Sequence, residues 1–463
     1  MTTEFLVFQA LIWLLAAWFF VQRRGASIFH PFSFYLAFHG VVFVIRPIME
    51  RVFSFENVFF YMGFYPSEER FQQALLLTTT ALIAFAAMSC ALDAAPRPRP
   101  AAGGFSGREW QAFGITSLLL GPLLFYSVLL AIRNSINTEG TDELIQMDRD
   151  VDTGIPTFTN TTGYLVDADK MLGTLSLMLI WGARFRLWSF APLVIYLGER
   201  AYEGWARWTI VLPLASLVLL YVARSGRRWV PAAFLILAIP VYMLFQVLGE
   251  NRDTVKEFFL GQPTSKSALE ADRSWIERQD NLDFANFDYL TYVMDVVPEK
   301  SGTYTYFTQY LQLFTEPVPR VLWPHKPIGP PIQLVNMNDY GNFVGLTVSL
   351  VGDGWISAGW LGVILTMVIV AYAVGSLHRW FWRREVTTFK VLVYCTFLPL
   401  TLQWYRDGSI SIAKFVLFTI APILIWQVIV SRLHAKAGSS IGQPRRESLP
   451  DAARFPDEQS HPV

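Results

Sequence analysis

Eleven apolar runs of membrane-spanning length, broken by one long polar stretch from 250 to 350, constrain this chain more than any other feature of its sequence. The runs lie near 5–21, 31–49, 71–92, 110–132, 164–182, 188–203, 205–223, 229–249, 355–377, 389–404 and 410–430. At about 1.5 Å per helical residue, roughly 20 apolar residues cross the hydrocarbon core of a bilayer. With 53% hydrophobic and 16% charged residues, and a mean hydropathy of +0.35, the chain carries more apolar surface than a soluble core would bury. The expected fold is an all-α polytopic membrane protein of about 11 transmembrane helices. About eight belong to residues 1–249 and three to 351–431. The stretch 250–350 forms a long loop containing short helices, and 432–463 is a polar tail with too little apolar surface for a packed core.

The basic residues alternate between connections. Arg23-Arg24, Arg97/Arg99/Arg108, Arg184/Arg186, Arg224/Arg227/Arg228 and Arg379/Arg383/Arg384/Lys390 fall in every second one, which the positive-inside rule assigns to the cytoplasm. The N-terminus and the long loop then lie outside, and the C-terminus inside. Met1-Thr2-Thr3-Glu4 lacks the basic region of a cleavable signal, so the first run is expected to stay as a helix. Cys90 and Cys395 sit in separate apolar runs and read as packing residues. Formal net charge is +0, and no basic block is suited to nucleic acid.

Charges near the bilayer need a partner or a task, because one at a helix centre costs about 2.5 to 3.5 kcal/mol on insertion scales. Glu199, Glu203 and Arg207 are spaced four apart, and Arg406-Asp407 precede the last run, with Lys414 seven residues further on. His39, Arg46 and Lys414 read as structural or snorkelling groups. Arg207 and Arg406 read instead as a phosphate or diphosphate site beside the loop, since guanidinium forks match phosphate oxygens. Asp167-x-Asp169, with Asp148, Asp150 and Asp152 before it, has the composition of a divalent-metal clamp, although charge runs of this kind are ordinarily solvated. Within the loop, 268–279 and 284–296 have helical patterning, and Tyr304, Phe307, Leu311 and Phe314 recur at helical spacing. These pieces are expected on the membrane surface, capping a cavity.

The most specific stretch is Pro319-Arg320-Val321-Leu322-Trp323-Pro324-His325-Lys326-Pro327, followed by Val351-Gly352-Asp353-Gly354-Trp355 and Gly359-Trp360-Leu361-Gly362. Proline keeps the first piece extended while Arg320, His325 and Lys326 give it positive charge. This pattern resembles the Wzy-type oligosaccharide repeat-unit polymerases that build O-antigen, enterobacterial common antigen and exopolysaccharides. The family's Pro-Arg-x-x-Trp-Pro-x-Lys-Pro loop motif matches Pro319 to Pro327. Asp353 with Gly359 to Gly362 matches its acidic residue and glycine-rich helix start, with Asp where many members carry Glu. Arg207 matches an arginine opening a middle helix, and Arg406-Asp407-Gly408 one ahead of the last helix. Asp288 and Asp295 stand where members often have acidic residues. The likeness covers roughly residues 200 to 430.

The resemblance implies a glycosyltransferase of the bacterial inner membrane. It would move a growing glycan from undecaprenyl diphosphate onto the non-reducing end of another lipid-linked repeat unit, at the periplasmic face and without a cofactor. Arg207, Arg320, Lys326 and Arg406 would bind the departing diphosphate, joined in substrate binding by Trp323, Asp288 and Asp295, and Asp353 or His325 would act as base. The expected partners are the undecaprenyl-diphosphate-linked oligosaccharide, membrane lipid, a chain-length regulator and a flippase, and no nucleic acid. Three other readings stay open: a lipid-linked oligosaccharide flippase or transporter, an O-antigen ligase, and a metal-dependent lipid-phosphate glycosyltransferase.

Overall fold

In the computed structural model, residues 2–93, 103–136, 147–149, 156–158, 167–203, 208–234, 236, 279–316, 318, 322–327, 329–341, 343 and 345–441 are described. They are helical apart from loops and one small hairpin, in which Met147–Arg149 (β1) pairs antiparallel with Pro156–Phe158 (β2). The principal helices are α1 (Thr2–Val21), α2 (Pro31–Phe53), α3 (Glu68–Ala91), α4 (Gly107–Ile136), α5 (Lys170–Gly182), α6 (Ala191–Glu203), α7 (Trp208–Ser225), α8 (Asn286–Val296), α9 (Leu350–Trp382) and α10 (Thr388–Ile441). Among the described residues, seven helices are long and apolar enough to cross a membrane: α1, α2, α3, α4, α7, α9 and the latter part of α10. The protein is therefore an all-α polytopic membrane protein. The apolar run at 229–249 lies mostly outside the described residues.

Two long helices organise the bundle. α9 packs chiefly on α3 and on α10, while α10 also meets α2, α4, α5 and α7. Helices α1 and α4 lie at the periphery, with most of their apolar side chains turned outward, as suits lipid contact. Gln9 Nε2 of α1 donates to Thr78 Oγ1 of α3 at 2.7 Å. Within a bilayer such an interhelical bond contributes about 0.6 to 2 kcal/mol. Neither cysteine forms a disulfide, and Cys395 is buried in the core, as a packing residue should be.

The basic connections gather at one end of the bundle. Arg23 Nη2 donates to Cys90 O at 2.9 Å and Arg379 Nε to Leu92 O at 3.1 Å, while the amide of Ile28 donates to Arg228 O at 2.9 Å. Both arginine bonds meet carbonyls at the end of α3. We refer to this as the basic end and to the opposite one as the loop end.

The long loop is not spread on the surface as its patterning suggested. Helix α8 is buried along nearly its whole length, against α3 and α9. Phe287 stacks edge-on with Phe71 of α3 at 5.1 Å, and Tyr292 with Phe64 at 5.3 Å and Phe343 at 5.2 Å. The apolar periodicity of 284–296 was a core signal, satisfied by membrane helices and by other parts of the loop. Most of 268–279 lies outside the described residues. Tyr304, Phe307, Leu311 and Phe314 do not form one helix. Phe307 takes a left-handed φ of 65°, and only the short turns Thr308–Leu311 and Gln312–Thr315 follow it.

A candidate active site at two broken helices

Helices α9 and α10 are both interrupted near the loop end. In α9, Ser349 caps the start by accepting from Gly352 N at 3.2 Å, and the helix breaks at Ala358 and Gly359, where Gly359 has φ 57°. The two halves then fold against each other so tightly that a Cβ on Gly354 would sit 2.6 Å from Val363 Cα, and one on Gly362 would overlap the Gly354 carbonyl. Glycine is required at both places by this backbone approach. The break frees carbonyls that must find donors. The loop supplies them: Thr305 N donates to Ile356 O and Tyr306 N to Ser357 O, each at 2.9 Å.

The interruption in α10 falls at Gly408, with φ 81° and ψ 178°. Here the two breaks meet. Asp353 Oδ2 accepts from the amide of Ser409 at 2.9 Å, and a Cβ at Gly408 would overlap the same carboxylate. Asp353 therefore rests on the newly started N-terminus of the second half of α10, where unpaired N–H groups and the helix dipole favour negative charge. Its Oδ1 takes no hydrogen bond among the described residues.

A polar lining surrounds this carboxylate. Ser357 Oγ donates to the Asp353 carbonyl at 2.6 Å and Gln309 Nε2 to Ser357 Oγ at 2.6 Å, while Thr305 Oγ1 donates to Gln309 Oε1 at 2.5 Å. Trp404 Nε1 holds Ser409 Oγ at 3.0 Å. The Tyr310 hydroxyl is buried beside Ser357, Thr366 and Ser409 without a well-formed bond to any of them. Burial first, and the neighbouring Asp353 charge second, push its phenol well above the usual range. It stays a neutral proton donor facing the acid.

Arg406 stands two residues before the α10 break. Its Nε donates to Asp283 O at 3.2 Å and its Nη1 to Asp407 Oδ1 at 2.9 Å. Its own carbonyl accepts from Asn286 Nδ2 at 3.0 Å and Thr347 Oγ1 at 3.1 Å, so loop segments on both sides of α8 converge on it. The guanidinium lies 5.6 Å from the Trp208 ring centre. Arg207, immediately before Trp208, is outside the described residues, as is Arg320.

The other residues singled out in the sequence are placed differently. Lys326 turns its ammonium onto the carbonyls of Glu316 at 3.0 Å and Val318 at 3.1 Å. It fastens the proline strap to the end of the preceding helical turn. His325 is exposed, and Trp323 partly so. Asp295 pairs with Lys300 at 2.7 Å at the far end of α8. Asp288 is wholly buried and receives both Nε (3.1 Å) and Nη2 (2.6 Å) of Arg46, which also reaches Asp280 at 2.8 Å. Asp280 Oδ2 in turn accepts from Asn57 N at 2.8 Å. Asp288 thus anchors the loop to α2, and Arg46 is the structural ion-pair partner its position in α2 suggested. The α10 break holds Asp353 on Ser409 and has Arg406 two residues before it in the chain, with the guanidinium engaged by Asp283 O and Asp407, while Asp288 and Asp295 are engaged elsewhere.

The Asp-x-Asp stretch is not a solvated face. Asp169 is buried and ion-paired to Arg200, which also holds Glu199, and Asp167 is paired to Lys170. Burial, only partly offset by Arg200 and Lys170, raises the Asp169 carboxyl to about 6. Asp150 and Asp152 are outside the described residues. Sequence reasoning missed Tyr310, Gln309 and Ser409, whose residue types carry no signal until the two helix breaks are superposed.

No family model matches the chain, and no curated protein or solved structure matches it either. Its class, a polytopic helical membrane protein with paired helix breaks under a structured loop, rests on the architecture alone.

Proposed function

We propose that the protein is an inner-membrane glycosyltransferase of the Wzy polymerase type, working at the periplasmic face on glycans carried by undecaprenyl diphosphate. The observation that carries this reading is Asp353, seated on the α10 break with Arg406 two residues upstream. An acid and a fixed cation at one interruption of the membrane helices suit a reaction that removes a proton and releases a diphosphate. The acceptor sugar hydroxyl gives its proton to Asp353 as its oxygen bonds to the donor anomeric carbon. The bond from that carbon to the diphosphate breaks, and the diphosphate leaves with its charge balanced by Arg406, by Arg320 of the loop motif and by Arg207 at the opening of a middle helix. The lipid tail stays in the bilayer throughout. The gathering of basic connections at the other end supports placing that end, and the C-terminus, in the cytoplasm.

The test is deletion of the gene in its host, with lipid-linked and surface glycans sized by gel and mass spectrometry. Collapse of a ladder to single repeat units, restored by the wild-type gene but not by Asp353→Asn, is the expected result. Complete units stranded at the cytoplasmic face would identify a flippase. An intact ladder no longer joined to lipid A core would identify a ligase.

A further inference from the structure

At the basic end, far from the two breaks, three potential ligands from separate elements converge. His30 caps α2, Asp93 follows α3, and His378 lies in the last turns of α9. One ligand atom from each falls within 4.8 Å of the other two. Both rings are buried and lie 4.8 Å apart, centre to centre.

The hydrogen bonds fix which atoms face inward. Tyr394 OH donates to Phe29 O at 2.6 Å, so it can only accept from His378 Nδ1, 3.1 Å away. The proton of His378 is therefore on Nδ1, and Nε2 presents a buried lone pair that meets no donor. Asp93 is similar: Arg23 Nε holds Oδ2 at 3.3 Å, whereas Oδ1 is buried without a hydrogen bond. His30 Nε2 lies 3.6 Å from that oxygen. His30 Nδ1 accepts from Phe32 N, so its proton is on Nε2, but at 3.6 Å that N–H is too far from Asp93 Oδ1 to satisfy it, and a cation among the three atoms would satisfy both bare acceptors. An imidazole whose Nδ1–H is tied to a hydroxyl while Nε2 points inward is the outer-shell pattern that orients a metal-ligating histidine.

We propose that His30, Asp93 and His378 bind a divalent transition metal ion of the zinc class. Two imidazoles and one carboxylate suit zinc and its neighbours, not calcium or magnesium, which prefer all-oxygen sets. Ligands on a tetrahedral zinc stand about 3.4 Å apart, given bonds of about 2.0 to 2.1 Å, so His30 and Asp93, 3.6 Å apart, barely move, and the widest separation closes by up to about 1.4 Å on binding. His30 binds through Nε2 by shifting its proton to Nδ1, which ends the cap bond that Nδ1 accepts from Phe32 N at 3.2 Å. That is one long hydrogen bond against a metal–imidazole bond. Arg23 remains on the outer oxygen of Asp93, where its positive charge opposes that of the ion. The ion would tie α2, α3 and α9 together at the basic end, whatever reaction proceeds at the other.

The experiment uses the untagged full-length protein in lipid nanodiscs, stripped with a chelator and titrated with Zn²⁺ against a fluorescent competitor. One ion per chain is expected, with affinity at least tenfold weaker in His378→Gln and in Asp93→Asn, and unchanged in His434→Ala, which removes an exposed histidine. Should the buried variants fail to fold, the wild type loaded with Co²⁺ decides. Visible bands of a four- or five-coordinate nitrogen–oxygen site support the proposal, and the spectrum of aqueous Co²⁺ overturns it. Absence of stoichiometric Zn²⁺ binding, or binding equal in all variants, would likewise overturn it and leave water or a shared proton between the two acceptors.

Discussion

Arg46 and Asp288, 242 residues apart, share two hydrogen bonds of 3.1 and 2.6 Å inside the protein. The pair pins the buried loop helix to α2. Removing one partner strands the other charge, which costs about 3 to 5 kcal/mol for a buried pair. Arg46→Ala, which strands both Asp288 and Asp280, should lower thermal stability in detergent by that order, and Asp288→Ala by less, because Asp280 still holds Arg46 at 2.8 Å. The double variant should be less destabilised than the sum of the two. Additive losses would show that the two residues act separately.

The Gly408 break sets the position of the acid. Gly408→Ala places a methyl on the Asp353 carboxylate and holds alanine at φ 81°, so Asp353 must move off Ser409. Polymer yield is expected to fall at least tenfold, with the protein still inserted. A full ladder from this variant, by gel, would separate the break from the chemistry.

Asp353→Asn keeps shape while removing the proposed proton acceptor. General-base loss is ordinarily worth about a hundredfold to ten-thousandfold. The expected phenotype is single lipid-linked repeat units at normal protein abundance. Abundance falling in parallel with product would assign Asp353 to holding the break closed.

Asp169 carries a pH dependence of its own. Its carboxyl is raised from the usual 3.8 to about 6 by burial, so the folded state holds the proton more tightly than the unfolded. The contribution is full below about pH 4 and is lost as pH rises through about 6, an effect of order 2 to 3 kcal/mol. Unfolding of wild type minus Asp169→Asn, followed from pH 4 to 7, should show this fall. A flat difference would mean that Arg200 keeps Asp169 ionised throughout.

Much of this molecule was readable from its residues. Apolar runs of about 20 residues announce membrane helices because the bilayer fixes their length, and Asp353 with Gly359 to Gly362 stood out only by resemblance to a family's acidic residue and glycine-rich helix start. Why glycine is needed there was not readable. The reason is the approach of Gly354 to Val363 across a fold in one helix, and the geometry of a fold has no signature in spacing. Asp288 matched a site residue by position along the chain. Its engagement by Arg46 depends on α8 entering the bundle, which its buried faces drive and which one-dimensional patterning confuses with a surface helix. Lys326 was read as a free charge, yet lysine caps carbonyls as readily as it binds phosphate.

The Arg46 knot also bears on how the chain is made. Asp280 lies 234 residues further along than Arg46, and synthesis at about 5 to 20 residues per second leaves the arginine at the membrane for roughly ten to fifty seconds before that carboxylate exists. Glu50, four residues on, shares its helical face in that interval. Once Asp280 and Asp288 arrive, Glu50 is left buried with Oε2 unbonded. The grip of the loop on α2 is thus a late event in biogenesis, and the site at the breaks is completed only after almost the entire protein has left the ribosome.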